Sequence, residues 1–439
     1  MRQFVRWMRH LLYPAAALLL LWAGYQVFRN AFISDSSGRI LVVYNADNDI
    51  PNLVDCSRLA VDDENLAEQA LIGVCNAYHD PKGSHPAIDL LNIHESLDSA
   101  GKVDAGKLYG LLSAKLAHGA FLGAISLLTS PDSLPVVRFF RTMQVPLLLT
   151  IAANDELLSP AEDTTGVVFR MMPTNSEQAR DIAKWIQDKG YRRIALFHEP
   201  NSFGEYLFRQ VDKDLQMDQS DPSGKAGPVD RKLFKYEVRE HMEFADIMPE
   251  LWCDDLDALV YLGFAPRAVE LMNKLRSPGQ DLTHTNCPVQ HSLPHPKRDQ
   301  EKPFQHLSVL LSSGAYDKDL SDGGKYAFQF QVAAMLSNHP ASGLLTESPN
   351  ETLISQYGYD AYKLMTRVSA MDGGRSSDAL QATLSSGPDD SRTGHLYRFD
   401  KFGELQKDVK DGRNQYRVYS LVSSAKTPES MHPHDGRRQ

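Results

Sequence analysis

Short apolar runs alternate with amphipathic helical stretches over most of this chain, and that alternation admits few architectures. Successive strands separated by a helix must run parallel in one sheet, with helices covering its two faces. "RILVVYNA" (Arg39–Ala46) reads as a buried strand, "ENLAEQALIGVCNAY" (Glu64–Tyr78) as a helix and "PAIDLLNIHES" (Pro86–Ser96) as the next strand. A helix closing at Gly119, the strand "FLGAISLL", the helix opened by Ser130-Pro131 and the strand "PLLLTIA" complete half of a doubly wound lobe.

A second series then starts. "SEQARDIAKWIQDKG", "RRIALFHE", "FGEYLFRQVDKDLQ", "KLFKYEVRE", "FADIMPELWCD", "DALVYLGF", "PRAVELMNKLRSPG" and "HLSVLLSSGA" alternate helix and strand as before. Two such sets in one chain predict two lobes of similar build, and 439 residues exceed what one hydrophobic core usually serves. A polar stretch from 214 to 231 reads as a surface loop.

With 42% hydrophobic and 23% charged residues the chain has ordinary globular chemistry. A net charge of −10 leaves no basic field to hold a phosphate backbone, so nucleic acid is not an expected partner.

The N-terminus carries a different signal. Arg2, Arg6 and Arg9 precede an uncharged run, "LLYPAAALLLLWAGYQVF" (Leu11–Phe28), long enough to cross a bilayer. The expectation is a cytoplasmic segment 1–10, a membrane span 11–28 and the bulk of the chain outside the cytoplasm. Aromatic Trp22, Tyr25 and Phe28 at its far end favour a retained anchor. A cleaved signal peptide ending at the weak site "LWA" is the alternative, with a buried core helix as the bland reading.

Export permits disulfides, and there are four cysteines: Cys56, Cys75, Cys253 and Cys287. Cys56 with Cys75 is the nearest local bridge, while Cys75 reads equally well as a small apolar residue on a helix face. Cys287, His291 and His295 have a spacing that would stack metal ligands on a helix, but Pro288, Pro294 and Pro296 forbid that helix. No metal and no cofactor are expected.

A catalytic reading needs a nucleophile and a base that can meet. The chain has no G-x-S-x-G, no H-E-x-x-H and no phosphate-binding glycine fingerprint, and His198 beside Glu199 on one strand should face away from it. What remains are polar and aromatic residues just past the C-terminal ends of strands, where open α/β sheets hold ligands. These are Asn45, Asp47, Thr129, Ser130, Ala152, Ala153, Asn154, Phe203, Phe264, Tyr316 and Asp317. That pattern suits binding better than turnover, so the chain is not expected to be an enzyme.

Six segments then resemble one known group. "IAANDEL" (Ile151–Leu157), "VFRMMPTNSEQARDIAKWI" (Val168–Ile186), "FGEYL", "YLGFAPRAVELMNKLRSPG" (Tyr261–Gly279), "QYGYDAYKLM" (Gln356–Met365) and "GHLYRFDKFGEL" (Gly394–Leu405) are similar, in order, to the type I periplasmic-binding fold. The nearest likeness is to leucine/isoleucine/valine-binding proteins and the related ligand-binding regions of receptors.

The resemblance implies two doubly wound α/β lobes joined by a three-strand hinge. Lobe one would be 38–167 with 332–393, lobe two 168–331 with 394–425, followed by a polar tail at 426–439. It implies a small organic ligand, such as an amino acid, held between the lobes and passed to an ABC permease. The alternative is a membrane-anchored sensor or scaffold using the same fold. Ser130 or Ser133, with Ala152, Ala153 and Asn154, would hold a ligand carboxylate, and Phe203 and Phe264 would supply the aromatic walls.

Two positions depart from the family pattern. Asp132 falls in the first turn of the helix that should receive the carboxylate, where its charge already answers the helix dipole. The acid that would hold an ammonium group falls at Gly314, leaving Asp317 as its substitute.

Overall fold

The computed structural model describes residues 38–47, 50, 53, 56, 65–81, 85–117, 119, 121–158, 166–219, 231–239, 241–277, 282, 304, 306–315, 320, 330–337, 353–368, 377–385, 397–406 and 416–420. The apolar run Leu11–Phe28, the stretch holding Cys287, His291 and His295, the residues Tyr316 and Asp317, and the tail at 426–439 lie outside them. No described helix is long and apolar enough to cross a membrane.

Two sheets form. The first contains β1 (Arg39–Tyr44), β2 (Ile88–Asn92), β3 (Phe121–Ser126), β4 (Leu147–Leu149) and β5 (Val168–Arg170) in the order β2-β1-β3-β4-β5, all parallel. Alternate residues of β1 serve opposite layers. Ile40, Val42 and Tyr44 enter one apolar cluster, while Leu41 and Val43 enter the other. This two-sided burial explains why β1 reads as an unbroken apolar run. Helices α1 (Leu66–Tyr78), α2 (Ala105–Ala117) and α3 (Ser130–Met143) connect these strands.

The strand expected over Pro86–Ser96 stops at Asn92. The Asn92 side chain accepts from the backbone N–H groups of Ala46 and His94 and donates to the Ala46 carbonyl, which bends the chain into a short 3-10 turn.

The second sheet follows the same plan: β6 (Arg193–His198), β7 (Lys232–Glu237), β8 (Ala258–Leu262), β9 (Ser308–Leu311), β10 (Gln331–Ser337) and β11 (Tyr416–Ser420), in the order β7-β6-β8-β9-β10-β11. Only β11 runs antiparallel. Its helices are α4 (Asn175–Lys189), α5 (Ser202–Gln219), α6 (Phe244–Asp254) and α7 (Ala265–Arg276). Helix α4 begins with a capping box between Thr174 and Glu177 and ends at Gly190, whose φ of 69° suits glycine.

Two more helices, α8 (Leu353–Val368) and α9 (Ser377–Ser385), follow β10. Helix α8 packs on α1 and β3, returning the chain to the first lobe. That return falls between Ser337 and Leu353 rather than at 331, because β10 remains in the second sheet to its end. The α1–α8 contact is backbone to backbone: a Cβ on Gly73 would sit 1.6 Å from the Ser355 carbonyl oxygen, and one on Gly358 would sit 1.9 Å from that of Ala70.

The chain therefore passes between lobes three times: after β5, after β10, and between α9 and β11. The third passage packs against β5. Arg170 N–H donates to the Gly403 carbonyl at 2.9 Å, and Gly403, at φ 83°, brings its Cα so close to Val168 that only glycine fits.

Cys56 and Cys75 form a disulfide, which settles the open reading of Cys75; Cys253 is disulfide-bonded too, and no described cysteine is free. Closing a loop of sequence separation 19 stabilises the fold by about 3 kcal/mol in the chain-entropy account.

Candidate functional site

In both sheets the strand order reverses direction beside the first strand, between β1 and β3 and between β6 and β8. Ligands of such sheets sit past the C-terminal strand ends at that reversal. Asn175 N–H, opening α4, donates to the Ala153 carbonyl just beyond β4 at 2.9 Å, which holds the start of a second-lobe helix against the C-terminal end of the first sheet.

On the first-lobe side, Asn45 follows β1 and donates through Nδ2 to Asp132 Oδ2 at 3.2 Å. Asp132 is half-buried in the first turn of α3. Burial pushes its carboxyl up, and the Asn45 amide pulls it partly back. Asp47 and Thr129 are exposed.

The carboxylate-holding corner expected from the resemblance is occupied by the chain itself. Ser130 Oγ accepts from the backbone N–H groups of Ala153 and Asn154, at 3.1 and 3.0 Å. Ser133 is fully buried and donates to the Leu128 carbonyl, and Ala152 is enclosed in the apolar layer beneath α3. Ser133 and Ala152 thus face the lobe interior, while Ser130, Ala153 and Asn154 are brought together but joined to one another.

On the second-lobe side, Phe203 and Phe264 stack at 5.3 Å between ring centroids. Both are half-buried, and Gly314 lies against both rings: a Cβ there would come within 2.9 Å of Phe203 and 3.1 Å of Phe264. The aromatic pair fills the position where an acidic side chain at 314 would have projected. Asp317 is outside the described residues.

His198 and Glu199, expected to face opposite ways as strand neighbours, do have separate surroundings. His198 stacks on Phe208 at 4.3 Å. Glu199, only 9% exposed, accepts from the Tyr261 hydroxyl at 2.6 Å, Phe264 N–H at 2.9 Å and Asn201 Nδ2 at 2.7 Å. Burial first, then the Glu199 charge, hold the Tyr261 hydroxyl far above its ordinary range, so it remains a donor. No short motif announces Glu199; only its place at the end of a buried strand could have suggested it.

Of two further carboxylates, Asp155 ties the lobes together and Glu404 ties the third passage to β5. Asp155 accepts from Ser176 N–H and hydroxyl and from the Tyr206 hydroxyl. Arg170, fully buried, donates to the Asn154 carbonyl at 2.7 Å and to Glu404 at 2.6 Å. Burial pushes the Glu404 carboxyl up to about 7, further than the Arg170 guanidinium pulls it back. Asp155 and Glu404 lay inside segments that carried the resemblance, but nothing local marked them as bridging groups.

Among the described residues one set of potential metal ligands clusters, Cys56, Cys75 and His79. Its sulfurs are joined to each other and offer no thiolate, and His79 Nε2 lies 2.6 Å from the Leu53 carbonyl oxygen.

No family model matches the sequence, and no curated protein matches it. Solved structures do match in fold. A solute binding protein of an ABC transporter from R. palustris, in complex with benzoate, aligns at TM-score 0.58 and 11% identity, over 90% of this chain and 95% of that one. A leucine binding protein from Thermotoga maritima aligns at TM-score 0.56 and 12% identity, over 87% and 95%. A periplasmic binding protein type 1 from Bordetella pertussis aligns at TM-score 0.55 and 15% identity, over 90% and 99%. The fold is the type I periplasmic-binding fold.

Proposed function

We propose that this chain is an extracytoplasmic solute-binding protein that closes two lobes over a small organic ligand and hands it to an ABC importer. The observation that carries this reading is a reversal point in each of two sheets, with the Phe203–Phe264 pair past the strand ends of one and the Asn45–Asp132 bond past those of the other. Of the proteins of similar fold named above, one is a solute binding protein of an ABC transporter and one a leucine binding protein, which agrees with a role in binding rather than catalysis. Ligand binding would stabilise the closed arrangement by its differential affinity for closed over open lobes.

The run Leu11–Phe28 would tether the chain to the membrane with its lobes outside the cytoplasm. That tether favours a second reading, a fixed sensor or scaffold of the same fold, since a diffusing carrier needs none. Recovery of soluble protein starting near Gly24 would argue against the tether and against that second reading.

The test is a thermal-shift screen of the purified full chain against amino acids, amines, amides, small carboxylates and sugars, followed by calorimetry on any hit. Phe203→Ala and Phe264→Ala should each weaken the hit by about 1 to 3 kcal/mol through lost stacking and apolar burial. Undiminished affinity in both variants would place the site elsewhere.

A further inference from the structure

Past the strand ends of the second sheet, one carboxylate is bonded to both loops that carry the aromatic rings. Glu199, directly after β6, accepts through Oε1 from Phe264 N–H and the Tyr261 hydroxyl, and through Oε2 from Asn201 Nδ2. Asn201 stands immediately before α5, and its Oδ1 accepts from Gly204 N–H at 2.8 Å, the geometry of a helix cap. Phe203 lies between those two residues, in the first turn of α5. Phe264 is itself the N-cap of α7, which has no side-chain cap bond. The entry to α7 is held instead by Glu199, through the N–H of that N-cap residue.

The direction of each bond in this chain is fixed. A carboxylate only accepts, a backbone N–H only donates, and Asn201 can offer Oδ1 to Gly204 only while its Nδ2 faces Glu199. Glu199 has no room to swing away: its own N–H donates to the Leu262 carbonyl at 3.1 Å, and a Cβ on Gly263 would fall 2.5 Å from its side chain. A continuous run of hydrogen bonds therefore leads from the entry of α7 through Glu199 and Asn201 to the entry of α5. The rings at those two entries, Phe264 and Phe203, stack with 28° between their planes.

We propose that Glu199 is the positioning residue of the aromatic wall: its two oxygens lock the entries of α5 and α7 to one another, so that Phe203 and Phe264 are held as one stacked unit at the proposed ligand site. Hydrogen bonds to a charged acceptor are stronger than neutral ones, and a binding group is precise only when the residues behind it are fixed. The use of the pair as a ligand wall rests on the solute-binding reading above, whereas the coupling through Glu199 does not.

A reciprocal exchange at Glu199 and Asn201 tests it. In Glu199→Gln the amide oxygen must face Phe264 N–H, which cannot reverse, so the amide NH2 meets Asn201 Nδ2, donor against donor. Asn201→Asp alone sets two carboxylates against each other, although aspartate caps a helix as well as asparagine does. Together the two changes restore every bond, with only the bond between 199 and 201 reversed in direction. Fluorine NMR of the purified full chain labelled with 4-fluorophenylalanine reads both rings, their signals assigned with Phe203→Leu and Phe264→Leu. Each single variant should shift or broaden the Phe203 signal, and the double variant Glu199→Gln/Asn201→Asp should return it to the wild-type position. A Phe203 signal that stays in place in Glu199→Gln, or that the double variant does not restore, would overturn the inference. Should a single variant fail to fold, the double variant decides: recovery of the fold with both wild-type signals supports the coupling, and their absence refutes it. No ligand is needed, so a missing coupling leaves solute binding standing, and a blank solute screen with the coupling intact removes only the solute-binding reading.

Discussion

The hydroxyl of Tyr206 donates to Asp155 Oδ2 at 2.8 Å, and this bond joins α5 of the second lobe to the segment between β4 and β5 of the first sheet. Asp155 also takes Ser176 N–H and hydroxyl, so one carboxylate gathers three donors from the opposite lobe. Burial and the Asp155 charge push the Tyr206 hydroxyl well above its ordinary range, which keeps the donor protonated.

Loss of that donor should loosen the cleft. Tyr206→Phe removes a hydrogen bond to a charged acceptor, a change of about 1.5 to 3 kcal/mol, and should shift the lobes toward the open arrangement. Small-angle scattering should then report a larger radius of gyration for the variant. Identical scattering from variant and wild type would show that the tie does not set the lobe angle.

The Arg170–Glu404 pair predicts a pH dependence of opposite sign to that of an ordinary surface carboxylate. Glu404 titrates near 7 in the folded chain against 4.5 unstructured, so the folded state binds the proton more tightly. Stability should be greatest below the unfolded value and fall as pH rises from about 5 to about 7, by up to about 3 kcal/mol. Asp400 and Asp155 add to the upward shift, and Arg170 opposes it. Melting temperatures of wild type and Glu404→Gln across this window provide the check. The wild type should lose stability with rising pH by more than the variant does, and parallel curves would refute the assignment.

The α1–α8 crossing makes a third prediction, independent of any ligand. A methyl group at Gly358 would overlap the Ala70 carbonyl oxygen, and one at Gly73 would overlap that of Ser355. Neither obstacle is a flexible side chain. Gly358→Ala should therefore destabilise the first lobe by roughly 3 kcal/mol or more, despite alanine's better helix propensity. Chemical denaturation showing an unchanged or raised midpoint would mean that the helices slide apart at no cost.

Much of the fold was legible in the sequence because its signals are local. The run Ile40–Tyr44 is apolar on both faces, and both faces are buried. Thr174, Glu177 and Gly190 mark the two ends of α4 within one short segment. Such patterns depend on neighbours a few residues apart, so periodicity and capping chemistry expose them. Even the strand that ended early, at Asn92, did so through an asparagine whose side chain competes with the ladder.

The candidate site was less legible, since its character depends on who takes each hydrogen bond. The resemblance implied that Ser130 or Ser133 would lie near Ala153 and Asn154, but only packing decided that Ser130 would consume both amides. Glu199 meets Tyr261 across 62 positions and Arg170 meets Glu404 across 234. No periodicity links residues so far apart. Local sequence determined which segments became strands and helices, because dihedral preference and side-chain period act within a few residues. The tertiary structure decided which donors and acceptors pair, because a buried polar group must be satisfied by whatever the fold brings to it.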